Sequence, residues 1–181
     1  MPGPPSRTTA AAGRHASRSL DRFNTVPAGA AEAALLACCG SRSWARRIAA
    51  HRPYPDLESL LAAGDEASYD LTAADLAEAL ACEAHPSHHP HHPHPARRPR
   101  GLISAAARTA LTAAHAEYER KFGHVFVICL DAVRPDEALD AELAAIRTRL
   151  GHDEETETAV CADELRRIAR GRLRHLAGSC R

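Results

Sequence analysis

An all-α fold is expected from three features of this 181-residue chain. Alanine supplies 39 residues, about one in five, and it is the strongest helix former because it loses no side-chain entropy. Aromatic residues make up 4%, too few for the half-buried faces of a β-sandwich. Apolar residues recur at spacings of three and four in successive segments, each bounded by a capping or breaking residue. The length fits one domain with tails. We therefore expect a single compact domain of about seven helices over residues 20–178.

Residues 1–19 precede the first periodic segment. They are rich in Pro, Ser, Thr and Ala and contain no apolar h-region. They read as a disordered tail and not as a secretory signal. Thr25 is a candidate cap for the first helix and Pro27 suits its first turn. Its apolar run holds Leu35, Leu36, Cys38 and Cys39 and stops at Gly40. Ser41 caps a second helix, with Trp44, Ala45 and Ile48 at helical spacing, broken by Pro53 and Pro55. Asp56 opens a third, with Leu57, Leu60 and Leu61 on one face and Gly64 as its stop. Thr72 and Asp75 form a capping box for a fourth, which runs through Leu76, Ala79 and Leu80.

The composition then changes. Residues 85–100 read HPSHHPHHPHPARRPR, and five prolines in sixteen positions exclude a regular helix or a central strand. Helical spacing resumes at Leu102 and runs through Leu111 and Tyr118 to Gly123. The continuous apolar run 125–130, VFVICL, taken alone, reads as a buried strand, although periodicity does not separate that from buried helix. Pro135 and Asp136 start another helix, with Leu139, Leu143, Ile146 and Leu150 facing one way. The last runs from Glu154 to Leu176 and carries Val160, Leu165, Ile168 and Leu173.

Charge and cysteine content restrict function. Basic and acidic residues number 23 each, so the chain lacks the basic excess of a general nucleic-acid binder. No run of 18 apolar residues exists, so no membrane span is expected. The six cysteines form no CxxC pair, and most lie in apolar, helix-like surroundings. Reduced thiols in a cytoplasmic protein are expected. The twelve histidines are the anomaly, six of them within 85–94.

Several segments together resemble one family. They are FNTVP (23–27), CCGSRSWA (38–45), RPYPDLESLL (52–61), DLAEAL (75–80), AHP (84–86), YERKFGHVFVICL (118–130) and ELRRIARGRL (164–173). Together they are similar to the 2-oxo-4-hydroxy-4-carboxy-5-ureidoimidazoline (OHCU) decarboxylases, which form S-allantoin in urate degradation. The resemblance implies an all-helical fold, usually a homodimer, a small-molecule ureidoimidazoline substrate, and no metal or organic cofactor. It also implies loss of CO2 from C4 and protonation on one face. His85 falls where the family places its proton donor, with Pro86 shaping the substrate wall. Phe126, Val127, Ile128, Cys129 and Leu130 fall on the stretch that lines the substrate, partly through main-chain groups. Arg172 matches an arginine that reaches the site, and its guanidinium suits a bidentate hold on a carboxylate or ureido oxygen.

Plainer readings stand beside these. His85 is also the first member of a His/Pro loop, Val127, Ile128 and Leu130 are also core candidates, and Arg172 shares its helix with Arg166, Arg167, Arg170 and Arg174. The chain also departs from the family pattern. No Glu-Gln pair occurs between Pro86 and Glu117. Ser104 stands nearest to the family's serine, Ala107 where its glutamate would fall, and His115 where asparagine is common. A catalytically impaired homologue is therefore the alternative. A third reading is a metal-binding module built on His88, His89, His91, His92 and His94, although the interrupting prolines leave no fixed tetrahedral geometry.

Overall fold

The structure, a computed structural model, describes residues 19–84 and 104–178. Among the described residues there are eight helices and no strand, as the alanine content predicts. They are α1 (19–25), α2 (Ala28–Leu36), α3 (Arg42–Ala50), α4 (Leu57–Tyr69), α5 (Ala73–Glu83), α6 (Ala105–Phe122), α7 (Ala138–Arg149) and α8 (Glu154–Ala177). Residues 1–18 of the expected tail and the whole His/Pro loop 85–100 fall outside the described residues, whereas Ser19 begins α1. No described helix is long and apolar enough to cross a membrane.

The helix starts follow local chemistry. The Ser41 hydroxyl accepts from Trp44 N–H at 3.3 Å, and Asp56 Oδ1 accepts from Ser59 N–H at 2.7 Å. Thr72 and Asp75 form the reciprocal capping box. Ser104 and Asp153 cap α6 and α8 through Ala107 and Thr156. Each such cap satisfies a backbone N–H that the helix itself cannot. Gly123, at φ 75°, closes α6 in the left-handed conformation that glycine adopts without strain.

Three expectations about the elements are corrected. Thr25 does not cap α2; its hydroxyl donates back to Asp21 O and Arg22 O and so fastens the end of α1. Gly64 does not stop α4, which continues to Tyr69. Its hydrogen faces Leu173, whose Cδ1 would lie 2.6 Å from a Cβ built there. The glycine marks a close approach of side chain to backbone rather than a terminus. The 125–130 run is neither strand nor helix.

The chain divides into two compact units. The first comprises residues up to 71 together with 169 onward, and the second comprises 72–168. In the first unit α2 packs on α3 and α3 on α4. Trp44, Ile48, Leu60, Leu61 and Leu173 are fully buried there. The Trp44 indole N–H donates to Gly64 O and Ser68 Oγ, both at 3.0 Å, so this large apolar side chain is buried without an orphaned donor. Asn24 and Tyr54 exchange a reciprocal pair, Nδ2 to Tyr54 O at 2.8 Å and Tyr54 N–H to Oδ1 at 2.9 Å. Arg52 Nη1 donates to Phe23 O and Val26 O at 2.6 and 2.9 Å. The FNTVP and RPYP words thus hold each other.

In the second unit α6 packs on α7 around Leu111, Tyr118, Phe126 and Ile146. The buried stripe of α7 is Ala138, Glu142, Ile146 and Arg149. The expected leucines Leu139, Leu143 and Leu150 flank it and are partly buried.

Candidate active site

The run 125–130 enters the second unit directly after the Gly123 turn. Its backbone polar groups require partners, and no neighbouring strand supplies them among the described residues. Within 126–130, side chains supply partners for two of these groups. Arg149 Nη1, at the end of α7, donates to Val127 O at 2.7 Å. Cys129 N–H donates to Glu164 Oε2, on α8, at 2.7 Å. Leu130 O accepts from Val133 N–H at 3.0 Å. Phe126 and Val127 are buried, whereas Ile128, Cys129 and Leu130 keep partial exposure.

Behind this segment lies a buried polar network. Glu157 Oε1 accepts from Arg149 Nε at 2.8 Å and Nη2 at 2.5 Å. The Tyr118 hydroxyl donates to the same oxygen. His152 Nδ1 lies 2.9 Å from Glu157 Oε2. The side chains of Arg149 and Glu157 are 6% and 1% exposed, so the pair stands or falls on its own hydrogen bonding. Burial alone would raise the Glu157 pKa, but hydrogen bonds from Arg149 and Tyr118, with the Arg149 charge, hold it below its ordinary value. Burial, followed by hydrogen bonds to Cys161 and Glu157, pushes the Tyr118 hydroxyl upward. Burial lifts the Cys161 thiol to about 11, with Tyr118 and Arg149 opposing.

The network also holds the aromatic cluster. The Arg149 guanidinium carbon sits 4.4 Å from the Phe126 ring centre, and Tyr118 meets Phe126 edge-on at 4.9 Å. Lys121, the chain's one lysine, donates to Leu150 O at 2.6 Å and His152 O at 2.7 Å. It thereby ties α6 to the turn between α7 and α8.

A second polar pair flanks Phe126. His115 Nε2 lies 2.9 Å from Glu142 Oε1, and the His115 ring meets Phe126 edge-on at 5.7 Å. Glu142 is 1% exposed, and its Oε2 has no hydrogen-bond partner among the described residues.

The proposed site residues fall as follows. Phe126 to Leu130 form one continuous segment of the second unit. Arg172 belongs to the first unit. It is buried rather than solvated, and its Nη1 donates to Cys38 O at 3.1 Å. Burial pushes the Cys38 thiol up to about 12, with the Arg172 charge opposing. His85, Pro86 and the histidines of the tract lie outside the described residues. Among the described residues no three His, Cys, Asp or Glu side chains gather as a metal site.

Sequence reasoning missed Glu142, Arg149, Glu157 and Glu164. Two of them had a visible signal. Glu142 and Arg149 lie in register with Ala138 and Ile146, so a charged residue occupies an otherwise apolar helical stripe.

Comparison with known proteins agrees with this architecture. The OHCU decarboxylase family model matches residues 24–174. No curated protein sequence matches. A crystal structure of OHCU decarboxylase in the presence of (S)-allantoin superposes with a TM-score of 0.62 at 22% identity, covering 78% of this chain and 94% of that one. A crystal structure of (S)-allantoin synthase superposes with a TM-score of 0.59 at 18% identity, covering 85% of this chain and 52% of that one. At these identities the superpositions establish the fold, and the family match establishes descent: the chain belongs to the OHCU decarboxylase family.

Proposed function

We propose that the protein is a carboxy-lyase that converts 2-oxo-4-hydroxy-4-carboxy-5-ureidoimidazoline to S-allantoin. The observation that carries this reading is the family match across residues 24–174. The segment 126–130 supports it. Its main chain lies outside any helix or sheet, and Ile128 N–H and C=O have no hydrogen-bond partner among the described residues. A planar ureido-bearing ring needs fixed donors and acceptors, which main chain supplies with little entropy loss. The ring itself supplies the electron sink. The C4–carboxylate bond breaks, its electron pair enters the adjacent C=N, and CO2 leaves. The protein then has to hold the ring, exclude water and return one proton to one face.

His85 is the proposed proton donor, since imidazole titrates near neutral pH. Pro86 would wall the substrate, and Arg172 would hold a carboxylate or ureido oxygen. The same reading carries a homodimer and a cytoplasmic location. The test follows loss of substrate absorbance together with the chirality of the allantoin formed. Expected are turnover giving one enantiomer and loss of at least 10²-fold in rate for His85→Ala. Wild-type protein no faster than the uncatalysed reaction rejects the reading, and unimpaired His85→Ala rejects the assignment of the donor.

One observation favours a second reading. The family's Glu-Gln pair is missing between Pro86 and Glu117, and loss of a carboxylate that polarises a catalytic histidine costs on the order of 10²–10⁴ in rate. A homologue of impaired catalysis would have this sequence. Brisk turnover abolished by His85→Ala excludes it.

A further inference from the structure

We propose that Glu164 and Arg149 are positioning residues that clamp the main chain of 127–129 from α8 and α7, setting the register in which it meets a ligand. The proposal rests on the reading above for the identity of that ligand, but the clamp is a property of the protein alone.

Two hydrogen bonds define the clamp. A segment without secondary structure has no ladder to hold it, so each backbone group not bonded to protein exchanges with water. In 126–130 the groups that side chains hold are Val127 O, by Arg149, and Cys129 N–H, by Glu164. Both bonds are 2.7 Å and both partners are ionisable, the shorter and stronger class of hydrogen bond. The two grips differ in their own support. Arg149 is fixed by Glu157 and Tyr118 inside the core. Glu164 is steered by Arg167, whose Nη1 lies 3.2 Å from Oε1, leaving Oε2 for Cys129. Residue 128 lies between the two grips, and both its N–H and its C=O lack a protein partner among the described residues, as do several neighbouring groups of the segment. The clamp therefore decides how a donor and an acceptor on one residue are presented together. Only Glu164 is a safe probe, since Arg149 is also part of the core ion pair.

The experiment compares Glu164→Gln and Glu164→Ala with wild type. Gln retains the carbonyl oxygen that accepts from Cys129, and Ala removes it. Amide hydrogen exchange without ligand is expected to show Cys129 about tenfold less protected in the Ala variant and close to wild type in the Gln variant. With the ureidoimidazoline substrate, the Ala variant is expected to show KM raised about tenfold with kcat within about twofold, and the Gln variant to restore KM. Far-ultraviolet circular dichroism confirms that each variant folds. Unchanged Cys129 exchange in the Ala variant overturns the clamp. Loss of protection with unchanged KM overturns its role in positioning. If Gln is as impaired as Ala in both readouts, the carboxylate charge and not its acceptor is responsible, which also overturns the proposal. Wild-type protein that turns over nothing refutes the proposed function instead, and the clamp then stands or falls on exchange alone.

Discussion

Replacing Arg149 by Met keeps most of the stem volume while removing the charge from a site where everything else has been arranged around it. The guanidinium donates twice to Glu157, once to Val127 O and once to the Tyr118 hydroxyl. Its loss leaves the Glu157 carboxylate 1% exposed with Tyr118, His152 and the weak Cys161 thiol donor as its partners among the described residues. Removing one member of a buried ion pair costs about 3–5 kcal/mol, because the remaining charge is uncompensated. A domain is stable by about 5–15 kcal/mol in total, so the single variant forfeits a large share. Replacing both members by apolar residues removes the orphaned charge with its partner, and such exchanges are close to neutral. Arg149→Met/Glu157→Leu is therefore expected to be more stable than Arg149→Met by at least about 2 kcal/mol. Urea unfolding followed by far-ultraviolet circular dichroism measures both. The pair's contribution also depends on pH. The Glu157 pKa is lowered in the folded protein, so the stabilisation is complete above the unfolded carboxylate value of about 4.3 and disappears as pH falls through the folded value. The gap between wild type and Arg149→Met should narrow in acid. A single variant costing under about 1 kcal/mol, or a double variant as unstable as the sum of its singles, would refute the reasoning.

Two further outcomes are expected. Gly64→Ala adds a Cβ 2.6 Å from Leu173 Cδ1; overpacking of about 1–3 kcal/mol set against a helix gain of about 1 leaves a net loss near 1 kcal/mol, measured by thermal unfolding, and Leu173→Ala in the same chain should remove the added penalty. Cys38, with its thiol pushed to about 12, carries a thiolate fraction of about 10⁻⁴ at pH 8; iodoacetamide followed by peptide mass spectrometry should leave Cys38 unmodified in folded protein and label it in urea, and rapid labelling of the folded state would contradict its burial.

The parts legible in the sequence are those governed by neighbours along the chain. Ser41, Asp56 and the Thr72–Asp75 box act within one turn, and each does what its spacing announced. The parts that were not legible depend on residues far apart. Gly64 reads as a helix stop until Leu173 is seen against it. VFVICL reads as a strand because β-branched and aromatic residues cluster there, yet a strand needs a neighbour, and here the partners are a guanidinium from α7 and a carboxylate from α8. Thr25 had two helices within reach, and composition alone does not say which one its hydroxyl serves. The helical domain was thus visible in local pattern. The support of the candidate site was legible only at Glu142 and Arg149, whose register with Ala138 and Ile146 placed them on a buried stripe; Glu157 and Glu164 are charged residues that pattern analysis assigns to solvent.

That division bears on what the family match certifies. The word YERKFGHVFVICL contributes Tyr118 to the buried network, Lys121 to the turn after α7, Gly123 to the helix stop and Phe126 to the aromatic cluster. RPYPDLESLL contributes Arg52 and Tyr54 to the hold on FNTVP, and Asp56 to a cap. Each of these roles can be discharged without any chemistry on a substrate. A chain selected only to keep its fold would retain the same words. The match across residues 24–174 therefore certifies the fold that these words build. In the proposed function the chemistry rests instead on the proton donor His85 and on the presentation of 126–130. His85→Ala and Glu164→Ala therefore address the function in a way that further sequence similarity would not, whereas Arg149→Met addresses the fold that both depend on.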